Sequence, residues 1–377
     1  MSHLVIIGGG LAAISAAQAA CNADAALQIT ILAAEPYLPY QRPMLSKGLA
    51  TGVDVNKIAL KSAAWFDEQR IEMHTSKRVT ALETNTRIAI CEDGTRIQWD
   101  ALVLATGASA FSPPIDGVNA LTLRTYDDMQ RLRTALASAD MMTVVGGGIL
   151  GMEIAWEARK AIHVQILETS PYLLRRQLSE QAAQRVLQYL TANGIEVVTS
   201  VDQTQIGALC KGVVCVAAGA RADTGLAAGA GLQVGRGIAV NEMMETSVKG
   251  IFAAGDVAEL PGGFTGLLAI ANGQGAIAGA NAVAFLNNTP MRSYVITPPP
   301  AMLKIGDMSL LSVGDISAGE PLVYQDDARY VELRVLDGKL VAGILMGDVA
   351  VGMKLSGAIA KHMDVGTQDA LAVLATL

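Results

Sequence analysis

Short apolar runs that end in glycine recur along the chain. Leu4-Val5-Ile6-Ile7 leads into Gly8-Gly9-Gly10, and Met142-Thr143-Val144-Val145 leads into Gly146-Gly147-Gly148. Runs of this length read as buried strands. The stretch behind each glycine group reads as a helix. A second strand follows each time, Gln28–Leu32 in the first case and 164–167 in the second, so each is a β-α-β pattern. Strand-like alternation continues at 71–80 and 86–91, and Asp93-Gly94 predicts a hairpin turn before Ile97-Gln98-Trp99. A buried strand is expected at Ala101–Leu104, before a break at Ser112-Pro113-Pro114. Residues 178–192 predict an amphipathic helix stopped by Asn193-Gly194. Further strands are expected at 212–217 and 250–256. Thr297-Pro298-Pro299-Pro300 reads as a stiff linker, followed by short strands within 301–315 and 329–345 and a helix over 351–362.

The predicted fold class is therefore α/β. It has two Rossmann-like dinucleotide-binding domains, the second inserted in the first, and a small α+β C-terminal domain. The expected divisions are 1–113 with 240–296, then 114–239, then 297–377. A chain of 377 residues fits two or three domains.

Composition narrows the function classes. Hydrophobic residues make up 51% of the chain, enough for sizeable cores, yet no run reaches the roughly 18 apolar residues of a membrane span. A net charge of −7 argues against general nucleic-acid binding. The N-terminus enters a strand at once and carries no basic leader, so the expected location is cytoplasmic. Cys21, Cys91, Cys210 and Cys215 include no C-x-x-C; Cys210 and Cys215 flank and enter a predicted strand, which favours core burial over redox work. The four histidines cluster nowhere, so no metal site is expected.

The two loops carry the chemistry. In the first, Gly8 allows a tight turn, Gly10 lets backbone approach a pyrophosphate, and Ala13 keeps the helix close to its strand, with Ala12 a further cofactor-binding candidate. The helix N-terminus presents N–H groups and partial positive charge to phosphate. Glu35 lies where a ribose contact is expected, slightly past the strand end; a solvent-facing loop carboxylate is the alternative. In the second loop, Gly146, Gly148 and Gly151 complete G-x-G-x-x-G around Ile149 and Leu150. Glu168 ends the next strand, and a carboxylate there accepts from a 2′-hydroxyl and repels a 2′-phosphate, so NADH is favoured over NADPH. Arg175 and Arg176 nearby weaken that preference, unless they are a solvated pair.

Longer motifs then identify a relationship. Tyr37-Leu38-Pro39-Tyr40-Gln41-Arg42-Pro43-Met44-Leu45-Ser46-Lys47 resembles a signature of FAD-dependent NADH:rubredoxin and NADH:ferredoxin reductases, within the pyridine nucleotide-disulfide oxidoreductase superfamily. Leu123-Arg124-Thr125 with Asp128 resembles the family's linker motif. Gly146 to Glu153 resembles its G-G-G-x-x-G-x-E, and Ile251 to Asp256 its second FAD motif. The stretch 299–305 is similar to the short tails of rubredoxin and flavorubredoxin reductases.

The resemblance implies FAD in the first module and NADH in the inserted one. It implies Asp256, after Gly255, on the ribityl chain, Val79 against adenine, and Ala105-Thr106-Gly107 beside the flavin. It places Arg42 among the FAD contacts and Arg124 at the FAD phosphates or ribityl region, with an exposed linker arginine as the alternative. Leu268 would point at the pyrimidine carbonyl, and Ala218 and Gly219, at the end of the strand 212–217, are further cofactor-binding candidates. Lys47 and Glu153 would meet beside flavin N5, where an ammonium stabilises the reduced ring.

Segment 40–47 lacks the cysteine that disulfide reductases, NADH peroxidases and NADH oxidases carry near the position of Lys47. Direct release of electrons to a small acidic one-electron carrier is then expected: rubredoxin, flavorubredoxin or ferredoxin. Ala301-Met302-Leu303, standing where oxygenase ferredoxin reductases often carry a tryptophan, favours rubredoxin. Lys304, Arg329, Arg334, Lys339, Lys354 and Lys361 are either a basic docking face or scattered solubilising charges. A ferredoxin reductase component of an oxygenase, an NADH oxidase and an NADH-sensing flavoprotein are the alternatives, with a monomer or homodimer as the assembly.

Overall fold

The computed structural model describes residues 2–261, 268–295, 300–366 and 368–377. Tertiary contacts divide the chain into two compact units.

The first unit comprises Met1–Arg42, Val53–Ser109 and Ala220–Ile296. Its centre is a parallel five-stranded sheet in the order Ile251–Ala253, Ala101–Leu104, His3–Ile7, Gln28–Leu32, Ile71–His74. The continuous apolar runs are explained by cover on both faces: Leu4, Ile6, Ile31, Leu102 and Phe252 are fully buried. The helices Leu11–Ala23 and Leu268–Leu286 pack on each other through small residues. A Cβ at Gly279 would lie 2.0 Å from the Ala16 carbonyl oxygen, and one at Gly275 would lie 2.3 Å from that of Ala12. Glycine at both positions is what lets the two backbones approach.

An antiparallel sheet of Val79–Glu83, Ile88–Cys91 and Arg96–Gln98 completes the unit. The hairpin at Asp93-Gly94 forms as expected, with Gly94 at φ +82°. The single strand expected over 71–80 is two strands in two sheets. Ser76, at φ +53°, turns the chain between them, and its N–H donates to the Glu35 carbonyl. Alternation in the sequence runs through this turn and cannot register it.

The second unit comprises Pro43–Gly52, Ala110–Gly219 and Thr297–Leu377. Its parallel sheet has the order Ile195–Val198, His163–Leu167, Met141–Val145, Val213–Val216. The helix expected from 178 begins at Glu180, because Ser179 accepts a hydrogen bond from Ala182 N–H as N-cap. It ends before Gly194, at φ +80°. Cys215 is buried in the sheet and its thiol is pushed up to about 12 by that burial, which keeps it protonated and inert.

The C-terminal part folds as an antiparallel sheet in the order Ala301–Ile305, Met308–Gly314, Lys339–Met346, Tyr330–Leu336, Glu320–Gln325, with helices Gly352–Ala360 and Ala370–Ala375. The sequence reading missed Glu320–Gln325 and Ala370–Ala375. The former is an edge strand with mostly exposed residues and Pro321, so its apolar alternation is weak. The latter is only a turn and a half long. Residues 297–299 of the expected linker lie outside the described residues.

This tail is fixed to the nucleotide-binding part of its own unit. Trp156 and Tyr189 stack with centroids 5.4 Å apart, and the Tyr189 hydroxyl bonds Ile305 O and Asp307 N at the first turn of the tail. Gly306, at φ +52°, leaves room for both rings.

The contacts group 220–239 with the first unit, through Ala227, Leu232 and Ile238 in its core. That is earlier in the chain than the end at 239 expected for the inserted domain.

Candidate active site

The two glycine loops share one construction. Gly8 has φ +134°, and a Cβ there would sit 2.0 Å from Ala105 O. Gly146 has φ +115°, and its Cβ would sit 2.7 Å from Ala217 O. No L side chain fits either place. The third glycine of each trio behaves differently. Gly10 and Gly148 are the N-caps of Leu11–Ala23 and Ile149–Ala158, neither helix has a side-chain cap, and an added Cβ meets nothing within 4 Å. Each helix therefore turns an uncapped N-terminus toward open space, which fits a dinucleotide pyrophosphate at each loop.

Around the first loop, Ala105 lies against Gly8, and Gly255 (φ +80°) packs against Ala12. Gly255 N–H donates to the Gln274 side-chain oxygen at 2.9 Å. Ala13 is fully buried, as its close-packing role requires. Glu35 is half-buried and not free. It accepts from Arg42 at 2.5 Å and from the Tyr40 hydroxyl at 2.6 Å. Burial works against the Arg42 charge, but Glu35, Tyr40 and Asp256 outweigh it and raise the guanidinium above its ordinary range. Glu35, Arg42 and Asp256 thus form one electrostatic group in the first unit. Val79 opens the antiparallel sheet, half-buried. Thr106 donates to Asp223 O at 3.0 Å, and Gly107 has φ +76°. Leu268 begins its helix; its side chain lies outside the described residues.

Around the second loop, Gly151 is as tight as Gly8, its Cβ position being 2.0 Å from Gly146 O. Ile149 is half-buried and Leu150 is exposed. Glu168 turns back onto the loop. One carboxylate oxygen accepts from Gly147 N–H at 2.7 Å and the other from Ser170 N–H at 2.7 Å. Arg175 and Arg176 are both exposed. Ala218 and Gly219 follow the edge strand, with Gly219 at φ +108° and its carbonyl accepting from Phe111 N–H.

Arg124 sits in the segment before the helix Tyr126–Leu136. The Leu123-Arg124-Thr125 motif has a local purpose that the sequence reading did not include. Thr125 and Asp128 form a reciprocal capping box, and the Asp128 carboxylate also accepts from Arg124 N–H at 3.0 Å. The T-x-x-D spacing was the available signal.

Lys47 and Glu153 come together within the second unit. The short helix Met44–Lys47 packs against Ile149–Ala158, which carries Glu153. The direct partner of Glu153 is Ser46, fully buried, whose hydroxyl donates to Oε2 at 2.8 Å. Lys47 acts on it as a nearby charge; among the described residues no ion pair within 4.0 Å joins the two. Burial raises the Glu153 carboxyl above its ordinary range, against the lowering effect of Ser46 and Lys47, while Glu157 adds to the rise. Ser46 was visible in sequence only as part of the motif. Its role needs the fold, which brings two distant segments together.

A pyridine nucleotide-disulphide oxidoreductase model matches residues 2–281, and a model of the rubredoxin NAD+ reductase C-terminal domain matches residues 299–363. The chain belongs to the pyridine nucleotide-disulphide oxidoreductase family. As a member it is an NADH-dependent flavoprotein oxidoreductase that binds FAD. It is 32% identical to the NADH-rubredoxin oxidoreductase of Clostridium acetobutylicum, over 95% of this chain and 94% of that protein. The crystal structure of NADH:rubredoxin oxidoreductase from the same organism superposes with a TM-score of 0.87 at 30% identity, covering 100% of both chains. The chain is also 36% identical to the ferredoxin–NAD(+) reductase subunit of a benzene 1,2-dioxygenase system from Pseudomonas putida, over 69% of this chain and 68% of that one. No helix among the described residues is long and apolar enough to cross a membrane.

Proposed function

We propose that the protein passes electrons from NADH through FAD to a small one-electron carrier, with a rubredoxin or rubredoxin-like domain as the acceptor. The observation that carries this reading is the meeting of Ser46, Lys47 and Glu153 on two packed helices of one unit, in a segment with no cysteine. A thiol relay has no residue there to run through. Similarity of 299–363 to the rubredoxin NAD+ reductase tail supports the choice of acceptor.

In this reading the first unit holds FAD. Gly8 and Gly10 admit the pyrophosphate, Glu35 and Arg42 hold the adenosine end with Val79, and Asp256 binds the ribityl hydroxyls. Residues 110–219 hold NADH. Gly146, Gly148 and Gly151 take its pyrophosphate, and Glu168 takes a ribose hydroxyl. A carboxylate has four lone-pair sites, so the two backbone bonds Glu168 already accepts leave capacity for that hydroxyl. When bound, FAD supplies two-electron uptake and one-electron release. Lys47 supplies the positive charge that balances reduction, and Glu153, on the packed helix, acts with it as a nearby charge. The exposed lysines of the tail, Lys304, Lys354 and Lys361, favour an acidic carrier on a chain whose net charge is −7.

The test is an anaerobic stopped-flow series with NADH-reduced protein against rubredoxin, ferredoxin and a flavodiiron protein. Reoxidation by rubredoxin well ahead of the others is expected. Reoxidation by ferredoxin alone, or by oxygen with no carrier dependence, would overturn the acceptor assignment.

A further inference from the structure

We infer that Ser46 is a positioning residue that holds the Glu153 carboxyl in one place through both of its protonation states. The inference rests on reading Glu153 and Lys47 as the pair at the reacting end.

The argument starts from one proton and two acceptors. Ser46 Oγ lies 2.8 Å from Glu153 Oε2 and 3.3 Å from Pro43 O. A hydroxyl donates once and accepts twice. While Glu153 is charged, Ser46 donates to it. Once Glu153 is protonated, the carboxyl donates to Oγ, and the serine proton turns to the Pro43 carbonyl. Both states keep the Ser46–Glu153 hydrogen bond with no change of side-chain place. A lysine offers only donors, so Lys47 cannot accept the proton of the uncharged carboxyl as Ser46 can. Ser46 is 1% exposed, so water does not substitute readily for it.

The surroundings make this contact decisive. Lys47 is on the same short helix as Ser46. Glu157 lies one turn beyond Glu153 and is paired with Lys160 at 2.6 Å. Of the strands packed against this helix, Met141–Val145 carries no charge, His163–Leu167 brings the exposed His163, and Ala301–Ile305 brings the exposed Lys304. The short helix also packs on Tyr126–Leu136, where Asp128 is closed in its capping box and paired with Arg131. Ser46 is therefore the one direct hydrogen-bond partner given to the Glu153 carboxylate among the described residues. The bond to the anion is charge-assisted and so the stronger of the two; losing it favours the uncharged form of a group that burial already disfavours as an anion.

The experiment uses the full-length holo-protein with 13C-carboxyl-labelled glutamate, the Glu153 resonance being assigned by its loss in Glu153→Gln. Ser46→Ala is expected to move the Glu153 titration midpoint upward. An unmoved or lowered midpoint overturns the proposal. Thermal melting and flavin content check that the variant is folded. In parallel, the acid limb of the rate of flavin reduction by NADH is expected to move the same way. A wild-type flavin that NADH does not reduce, together with the upward shift of the resonance, would sink the function proposed above and leave Ser46 in its role. Normal reduction by NADH with an identical pH profile in Ser46→Ala would do the reverse.

Discussion

At the first glycine loop the tightest position is the first glycine, with Ala105 O only 2.0 Å from a Cβ at Gly8, and an alanine, Ala13, closes the motif. At the second, Gly146 has more room, 2.7 Å, and the tight position is the last, Gly151, 2.0 Å from Gly146 O. The carboxylates that follow differ more. Glu35 is held by side chains, Arg42 and Tyr40, while Glu168 is held by the backbone of its own loop. A nearly identical motif therefore yields a carboxylate embedded in a side-chain network in one module and one that braces the loop itself in the other. The first arrangement suits a resident ligand. The second keeps its loop in shape while a ligand comes and goes.

The largest effect expected from this comparison is on stability. Gly8→Ala combines backbone strain with a collision against a carbonyl and should cost about 3–5 kcal/mol. Gly146→Ala, with a looser collision, should cost less. Denaturant melts of the two variants rank them, and equal losses would break the comparison.

Next comes Lys47→Ala, which should retain FAD but slow flavin reduction by NADH by roughly tenfold or more. Stopped-flow traces matching wild type would remove Lys47 from the mechanism. Glu168→Ala should bring the NADH and NADPH efficiencies closer together. It should also lose about 1–2 kcal/mol of stability, because Gly147 N–H and Ser170 N–H lose their acceptor. A stability loss with an unchanged cofactor ratio would leave Glu168 as a brace alone.

The smallest expected effect is a pH trend. Burial raises the Glu153 carboxyl in the folded state. Its contribution to stability is therefore complete below the ordinary carboxylate range and is lost as pH rises through the raised value. Glu153→Gln should flatten stability against pH in that window, read by melts across the acidic range. A profile parallel to wild type there would contradict the burial argument.

The sequence carried much of this architecture because parallel strands covered on both faces leave continuous apolar runs. The runs before Gly8 and Gly146 became central strands for that reason. The turn at Ser76 was hidden because alternation persists on both sides of it. The edge strand Glu320–Gln325 was hidden because only Leu322 and Tyr324 turn inward. At the site, glycine spacing marked the loops, since backbone needs alone dictate it. What the acidic residues touch was not legible. Arg42 and Tyr40 lie close to Glu35 in sequence, but only the turn of the chain between them makes a contact. Ser46 and Glu153 meet only after the fold is complete.

We propose that the two loops hold different ligands for different lengths of time. Gly10→Leu and Gly148→Leu place equal side chains where an added Cβ meets nothing within 4 Å, and thermal melts check that each variant is folded. The direct measurement is the flavin content of each purified variant, followed by anaerobic mixing with NADH. Gly10→Leu is expected to be isolated without flavin, whereas Gly148→Leu should keep its flavin and need far more NADH to reduce it. Loss of flavin from Gly148→Leu with retention by Gly10→Leu would overturn the assignment of the two loops.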